Sequence, residues 1–333
     1  MCKTKYIFLL FIIWASTGCN QLDISPDQAN AFIKFYGSSG SDVGNDIKQF
    51  EEGYIILATV TSDIGNKDIV LIHVDNNGNQ INNDTLSSIR EGNNYASELL
   101  LTQDGGFIVL GTVTDTLNNN TDIYIEKFKP DGTSDWEKII GTDDNEEGRS
   151  IKNANSGYII AGSTDAQDAG NGNSEGTKDI FLVKLDDTGN TEWTENHGGA
   201  GEDFANQVIV ISTGYLLVGT SNSFNEPGQD RDNIIVVQTN QYGGSPDYIT
   251  YGAGNNDYGT SLLTAEGGGY LIIGTVENSV GDNSNIRAIR VEDDIHNIIW
   301  NEEYEANVAL GNKVIKYNHS STNPKDFNSL LIP

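Results

Sequence analysis

The chain has 333 residues, 37% of them hydrophobic, with 37 glycines, one methionine and a formal charge of −29. A polyanion of this kind repels phosphate backbones, whose binding depends on neutralisation by Lys and Arg, so nucleic acid is excluded as a partner. Both cysteines, Cys2 and Cys19, lie near the N-terminus, which leaves the body of the chain without disulfide or thiol chemistry.

The first residues read as an export signal. Lys3 and Lys5 precede an apolar run from Tyr6 to Ala15, and Ser16-Thr17-Gly18-Cys19 closes the segment. The run is too short to stay in a bilayer as a spanning helix, and the small residues before Cys19 suit a peptidase. Residues 1–19 resemble a bacterial lipoprotein signal, departing from it at Ser16, where an aliphatic residue is usual; this looser form is associated with Bacteroidota-type lipoproteins. The resemblance implies cleavage before Cys19, lipid on its sulfur and amine, and attachment to the outer membrane of the cell envelope, on the periplasmic or the surface side. A plain secretory signal followed by an incidental cysteine is the other reading. Residues 20–30, polar and carrying Pro26, are expected to be a flexible tether, and residues 31–333 one domain.

From there a unit of roughly 50 to 57 residues recurs five times and begins a sixth, a period typical of stacked β-units that cannot bury a core singly. Gly53-Tyr54, Gly106-Phe107, Gly157-Tyr158, Gly214-Tyr215 and Gly269-Tyr270 mark it. In each unit an Asp or Asn (Asp68, Asp122, Asp179, Asn233, Asn285) stands a constant ten residues before a turn position (Gly78, Gly132, Gly189, Gly243, Ile295). The segments between are rich in β-branched residues, as strands require. One column in them is always polar: His73, Lys127, Lys184, Gln238 and Arg290. It is expected to face solvent. Each unit therefore reads as four strands, the first around Ile47, Leu99, Ile151, Val208 and Leu262. The fourth carries Trp136, Trp193 or Trp300, assigned to packing between units. Asp75 to Asn79, Pro130 to Gly132 and Asp186 to Asn190 are hairpin turns, because Gly and Asn accept positive φ. The first and last also have Asp-x-x-Gly-Asn, but they lack the downstream Glu and the spacing of a calcium loop.

Four-stranded units of this length predict an all-β fold, a β-propeller of about six blades. Five repeats are complete. Residues 31–37 look like a fourth strand without a unit before it, and residues 311–314 and 327–332 like first and second strands without the rest, so the two chain ends are expected to share a closing blade; that blade is one strand short, and five blades with an irregular seam, or an open solenoid with exposed sheet ends, are the other readings. Gly157 to Gly162, Asp179 to Asn190, Trp193 and His197 to Asp203 resemble the propeller repeats of Bacteroidota lipoproteins and are similar to delta-60-type repeats. The segment ending at Trp193 is also similar to the tryptophan-docking hairpin of quinoprotein-like propellers, with a shorter Asp-to-Gly spacing. This resemblance implies a fold and an envelope location, and no catalytic residues.

Chemistry is sparse. Asp42, Glu146, Asp203 and Asp257 each lie five residues after a glycine (Gly37, Gly141, Gly198, Gly252), on one face of the expected ring, with Asn94 and Ala309 at the remaining places. They either satisfy turn amides beside the next strand or form a carboxylate ring for a cation. The variable loops between second and third strands add Asp165, Asp168, Asp230 and Asp232, which suit Ca²⁺ or glycan hydroxyls, or serve as solvated spacers. No metal site and no cofactor beyond Ca²⁺ are expected. Gly172-Asn-Ser174-Glu-Gly176 fits a nucleophile elbow on paper, but it sits in a loop that supplies neither the strand nor the helix of that elbow. His197 shares its slot with Tyr36 and Tyr251, which points to packing. The leading expectation is a lipid-anchored, non-enzymatic binding or assembly platform, with an envelope protein complex as partner. The alternative is a glycan-binding or glycan-active accessory protein, with Tyr95, Tyr242, Tyr248, Tyr251 and Tyr258 as candidate platform residues.

Overall fold

The computed structural model describes residues 34–85, 91–166, 178–225, 231–252, 254–277, 284–304, 313–316 and 329–332. Cys19, Asp168, Ser174 and Asp230 lie outside the described residues, as does the whole of 1–33. The chain divides into a unit Met1–Phe35 and a unit Tyr36–Pro333, and the second holds every strand found among the described residues. No helix among the described residues is long and apolar enough to cross a membrane.

The strands make five four-stranded antiparallel sheets, each in sequential order. The first is β1 (Val43–Phe50), β2 (Gly53–Thr61), β3 (Lys67–Asp75) and β4 (Gln80–Thr85). The second is β5 (Tyr95–Leu101), β6 (Phe107–Asp115), β7 (Asn120–Phe128) and β8 (Ser134–Ile140). The third is β9 (Glu146–Asn153), β10 (Tyr158–Thr164), β11 (Asp179–Leu185) and β12 (Thr191–His197). β13 (Asp203–Ile211), β14 (Gly214–Ser221), β15 (Asn233–Asn240) and β16 (Asp247–Tyr251) form the fourth, and β17 (Asp257–Thr264), β18 (Tyr270–Glu277), β19 (Ser284–Val291) and β20 (Ile298–Tyr304) the fifth. β21 (Lys313–Lys316) and β22 (Ser329–Ile332) pair as a separate two-stranded sheet. The architecture is all-β and made of repeated sheets, as expected. A sixth four-stranded sheet is not among those described, and residues 34–36 form no strand.

The Gly-aromatic signature has a local cause. At Gly53, Gly106, Gly157, Gly214 and Gly269 the backbone passes so close to the third strand that a Cβ would stand 2.0–2.2 Å from a carbonyl oxygen. Only glycine permits that approach. The aromatic that follows is buried in four of the five sheets.

Sheets pack face to face through alternate side chains. Ile108, Leu110, Ile123 and Ile125 of the second sheet meet Ile151, Ile160 and Val183 of the third, and the same pairing joins third to fourth and fourth to fifth. The first strand of each later sheet is the element laid on its predecessor: Leu99, Ile151, Val208 and Leu262 are at most 1% exposed. Burial of one such side chain contributes about 1.5–3 kcal/mol. Ile47, the equivalent residue of the first sheet, is 55% exposed.

One expectation is corrected. In the polar column of the third strands Lys127 and Lys184 are buried, and His73, Gln238 and Arg290 are half-buried, so none of the five stands free in solvent. Each long cation lies along its own sheet and reaches the turn between first and second strands. Lys127 Nζ meets Asp104 at 2.7 Å, Lys184 Nζ donates to Ser156 O at 2.5 Å, and Arg290 donates to the Gly268 carbonyl. The turn's polar groups thereby gain partners and the alkyl stems are covered.

Candidate functional site

The first strands converge on an axis. Each contains a β-bulge whose extra residue has no partner in the pairing register: Asn45, Ser97, Arg149, Asn206 and Thr260. A bulge re-aims its side chain, and these five residues line one cavity of about 160 Å³, so all five sheets contribute to it. Such convergence is what a propeller's central channel requires. A sequence signal for it exists: a small residue precedes each bulge, in Gly44-Asn45, Ala96-Ser97, Gly148-Arg149, Ala205-Asn206 and Gly259-Thr260.

The bulge residues and their successors tie each sheet to the next. Asn45 Nδ2 donates to Ala96 O at 2.9 Å, Ser97 Oγ to Gly148 O at 2.5 Å and Asn206 Nδ2 to Gly259 O at 2.7 Å. One residue on, Asp46 accepts from Leu99 N at 3.0 Å, Glu98 from Ile151 N at 2.8 Å and Gln207 from Leu262 N at 2.7 Å. Lys48 neutralises Asp46, and Lys152 neutralises Glu98. The acids nearest the axis are therefore committed to backbone amides and lysines.

Arg149 differs from the other bulge residues in being charged. It also lines a second cavity of about 440 Å³, with Tyr95, Ser97, Thr121, Glu147 and Asn206 among its walls. The guanidinium donates to Glu147 Oε2 at 2.7 Å and to Asn206 Oδ1 at 3.3 Å, and lies over the Phe204 ring, 5.4 Å from its centroid. Lys178 Nζ holds the other oxygen of Glu147 at 3.1 Å. Burial alone would raise the Glu147 carboxyl, but Arg149 and Lys178 together draw it below its ordinary range. Glu147 is thus an ionised acceptor at neutral pH. Tyr95, at the lip, is 45% exposed.

The acids singled out by spacing occupy equivalent places, at or just before the start of the first strand in four of the five sheets, with Asn94 in that place before β5, and none lines either axial cavity. Asp42 accepts from Thr61 N at 2.9 Å and from Ser38, and these backbone hydrogen bonds hold its carboxyl low. Glu146 accepts from Thr142 N, Thr142 Oγ1 and Thr164 Oγ1 at 2.7–2.8 Å. Asp203 accepts from Gly199 N at 2.8 Å and Ser223 Oγ at 2.5 Å, and Asp257 faces Arg287 at 3.4 Å. Of the loop acids, Asp165 accepts from the backbone and side chain of Asn145. The Asp232 amide donates to Asn256 Oδ1 at 3.1 Å.

The acids of the column do not meet one another; two of them meet an acid of the preceding sheet. Asp122 and Glu146 flank Gly141, and Asp179 and Asp203 flank Gly198, where a Cβ would stand 1.9 Å from Asp179 Oδ1 and 2.8 Å from Asp203 Oδ2. Burial, then the Asp203 charge, pushes Asp179 up to about 6, and burial also raises Asp203 and Glu146. Among the described residues no three His, Cys, Asp or Glu side chains come together as a metal ion would need. The Asp186 turn is self-contained: hydrogen bonds from Asn190 and Thr188 lower its carboxyl to about 2. His197 is buried, with Nε2 2.8 Å from Gly243 O. Of the candidate platform tyrosines, Tyr95 and Tyr242 are exposed, Tyr248 and Tyr258 are half-buried, and Tyr251 is buried with its hydroxyl on Ile295 O at 2.7 Å.

No family model matches the chain. It is similar to the regulatory protein FlaEY of Caulobacter vibrioides, 28% identical over 221 residues, which are 60% of this chain and 21% of that protein. The chain thus spans about a fifth of that relative's length. Among solved structures it is similar to a B. megaterium levansucrase, with 10% identity, TM-score 0.47, and 81% of this chain and 88% of that one covered. It is also similar to an exo-1,5-alpha-L-arabinanase from a bovine ruminal metagenomic library, with 11% identity, TM-score 0.43, and 78% and 95% covered. A family-43 beta-xylosidase/alpha-arabinofuranosidase from a compost metagenome gives 10% identity, TM-score 0.45, and 76% and 92% covered. These are propeller-fold proteins, and the likeness is one of sheet arrangement, with no residue carried across. They correct the leading functional expectation. The expectations of a non-enzymatic assembly platform and of no enzyme are not kept: the similar structures just described are a levansucrase, an arabinanase and a xylosidase/arabinofuranosidase, all enzymes.

Proposed function

We propose that this chain recognises glycans, as a glycan-binding or glycan-active protein, and that the sugar sits in the cavity at the mouth of the axis. The single observation that carries this reading is the lining of that cavity: an exposed aromatic, Tyr95, beside a fixed set of hydrogen-bonding groups, Ser97, Thr121, Glu147, Arg149 and Asn206. A sugar ring offers an apolar face for an aromatic and a rim of hydroxyls for amides, carboxylates and guanidinium groups. Glu147, held ionised, accepts from hydroxyls. No general acid is assigned.

The test is isothermal titration of the full chain against a panel of plant and bacterial oligosaccharides, with chromatographic detection of released sugars. Binding that is lost in Tyr95→Ala, with an unchanged melting temperature, supports the site. A folded protein that neither binds nor cleaves any member sinks it.

The wider setting belongs to the same proposal. Residues 1–19 are a lipoprotein signal of Bacteroidota type, Cys19 carries the lipid, residues 20–30 are the tether, and residues 31–333 form an envelope-bound propeller closed by a sixth blade shared between the chain ends. Support for closure comes from Tyr36, whose hydroxyl donates to Gly78 O at 2.6 Å in the turn of the first sheet. Tyr251 and His197 make the equivalent contact from the end of one sheet to the turn of the next. Radiolabelled palmitate incorporation and its loss in Cys19→Ala check the anchor; labelling that survives the substitution refutes it.

A further inference from the structure

We infer that the glycan this site takes is an acidic one, a uronic-acid-type oligosaccharide whose carboxylate docks on Arg149. The inference rests on the glycan reading above and adds the charge of the ligand. Its basis is the way Arg149 is held. An arginine on a flexible surface loses rotamer entropy on binding an anion, whereas a fixed one presents its planar fork ready-made. Here the ring of Phe204 supports one face of the guanidinium, and Glu147 and Asn206 each accept one of its hydrogens. Both acceptors are themselves anchored, Glu147 by Lys178 at 3.1 Å and Asn206 by its donation to Gly259 O at 2.7 Å.

Two contacts do not exhaust the five N–H donors of a guanidinium. The side chain stays 41% exposed and lines both axial cavities. The open edge is thus a preorganised donor pair of the kind that takes a carboxylate bidentately.

The local charge agrees. The chain as a whole is at −29, which disfavours any anion approaching it at random. Yet the charged groups that line the two axial cavities, with their ion-pair partners, are the cations Arg149, Lys152 and Lys178 against the anions Glu98 and Glu147. Arg149 is the cation that lines both cavities, and Lys152 and Lys178 neutralise the two acids, Glu98 and Glu147, that line them beside it. A neutral sugar needs no such cation; the other bulge residues, Asn45, Ser97, Asn206 and Thr260, provide for hydroxyls without charge.

The experiment uses the full chain and matched pairs of probes: oligogalacturonate against its methyl ester, and glucuronic-acid-substituted against unsubstituted xylo-oligosaccharide, by titration at low and at 0.5 M salt. The expected result is at least tenfold tighter binding of the acidic member of a pair, a preference that shrinks with salt. Arg149→Gln abolishes the preference, and Arg149→Lys, which keeps the charge and loses the fork, restores it only in part. Tyr95→Ala weakens both members of a pair alike. If neutral and acidic members bind equally, or if Arg149→Gln with an unchanged melting temperature keeps the preference, the inference is overturned while the glycan reading stands. If no probe binds and no oligosaccharide of the wider panel binds either, both are overturned.

Discussion

Asp179 and Asp203 face each other across Gly198 with one oxygen each, Oδ1 in both cases, buried and without a hydrogen-bond partner. Two carboxylates in such a place cannot both ionise cheaply. In the unfolded chain Asp179 ionises near 3.8, and in the fold it keeps its proton to about 6. Between those values the folded state binds more protons than the unfolded one. Stability therefore falls as pH rises through that window, and above it the full cost is present. The fourth sheet shows the remedy, since Asn233 occupies the position of Asp179 there and donates to Asn225 Oδ1 at 2.5 Å. Asp179→Asn is predicted to stabilise the protein by about 1–3 kcal/mol at pH 8 and by nothing measurable near pH 3.5. Urea unfolding at the two pH values checks this; an equal effect at both would show that repulsion is not the cause. Asp257 has a different remedy in Arg287, itself 4% exposed and paired also with Glu303. Removing one partner of a buried pair leaves an uncompensated charge, so Arg287→Met should cost about 3–5 kcal/mol. Asp257→Asn in the Arg287→Met background should recover most of that loss, which denaturation of the double variant measures.

At the scale of strands and turns, the outer strand of one sheet grips the hairpin of the next. Trp136 lies on Gly189, where a Cβ would stand 2.8 Å from its ring, and Trp193 lies likewise on Gly243 at 2.6 Å. Each is also tilted against the aromatic that opens the second strand, Tyr158 or Tyr215. Trp193→Ala is predicted to cost roughly 2–3 kcal/mol, less than a fully buried Trp because its ring is half-exposed. Gly243→Ala should also destabilise, by overpacking the same contact and by its positive φ. Thermal melts of both variants read the effect; a neutral Gly243→Ala would mean the turn has room to move.

This scale also shows what the sequence could reveal. Strand number, order and the hairpins follow from β-branched runs cut by turn residues at constant offsets, and the role of the tryptophans follows from their place beside them. The bulges were hidden, because an extra residue breaks the alternation on which strand reading depends. With them went the axial site: Arg149, Asn206 and Ser97 look like ordinary strand polar residues until the register is known. The column of Lys127 and Lys184 misled for another reason, since alternation cannot tell a polar residue in water from one folded back onto its own turn.

In the unit as a whole, the sheets cover one another in a single direction. Every first strand after β1 lies on the sheet before it, so Leu99, Ile151, Val208 and Leu262 are buried while Ile47 and Tyr54 of the first sheet remain open. The closure by the chain ends proposed above would account for that difference. It predicts that a chain starting after Tyr36, deprived of the Gly78 contact, loses hydrogen-exchange protection first in β1 to β4. Protection that is unchanged there, or lost equally in all five sheets, would argue against closure at this seam.

The side chains of Asp46, Glu98 and Gln207 each belong to an earlier sheet and accept from a backbone amide of the next one, that of Leu99, Ile151 or Leu262. Synthesis runs the same way. As the chain emerges, each new sheet finds its template already standing and adds to it, so contacts form between neighbours in time as well as in space. The first sheet is the exception, made earliest and left with Ile47 and Tyr54 exposed. That face is made first and is not covered by any of the four sheets added after it, so it is where a growing chain is open to foreign contacts from the start.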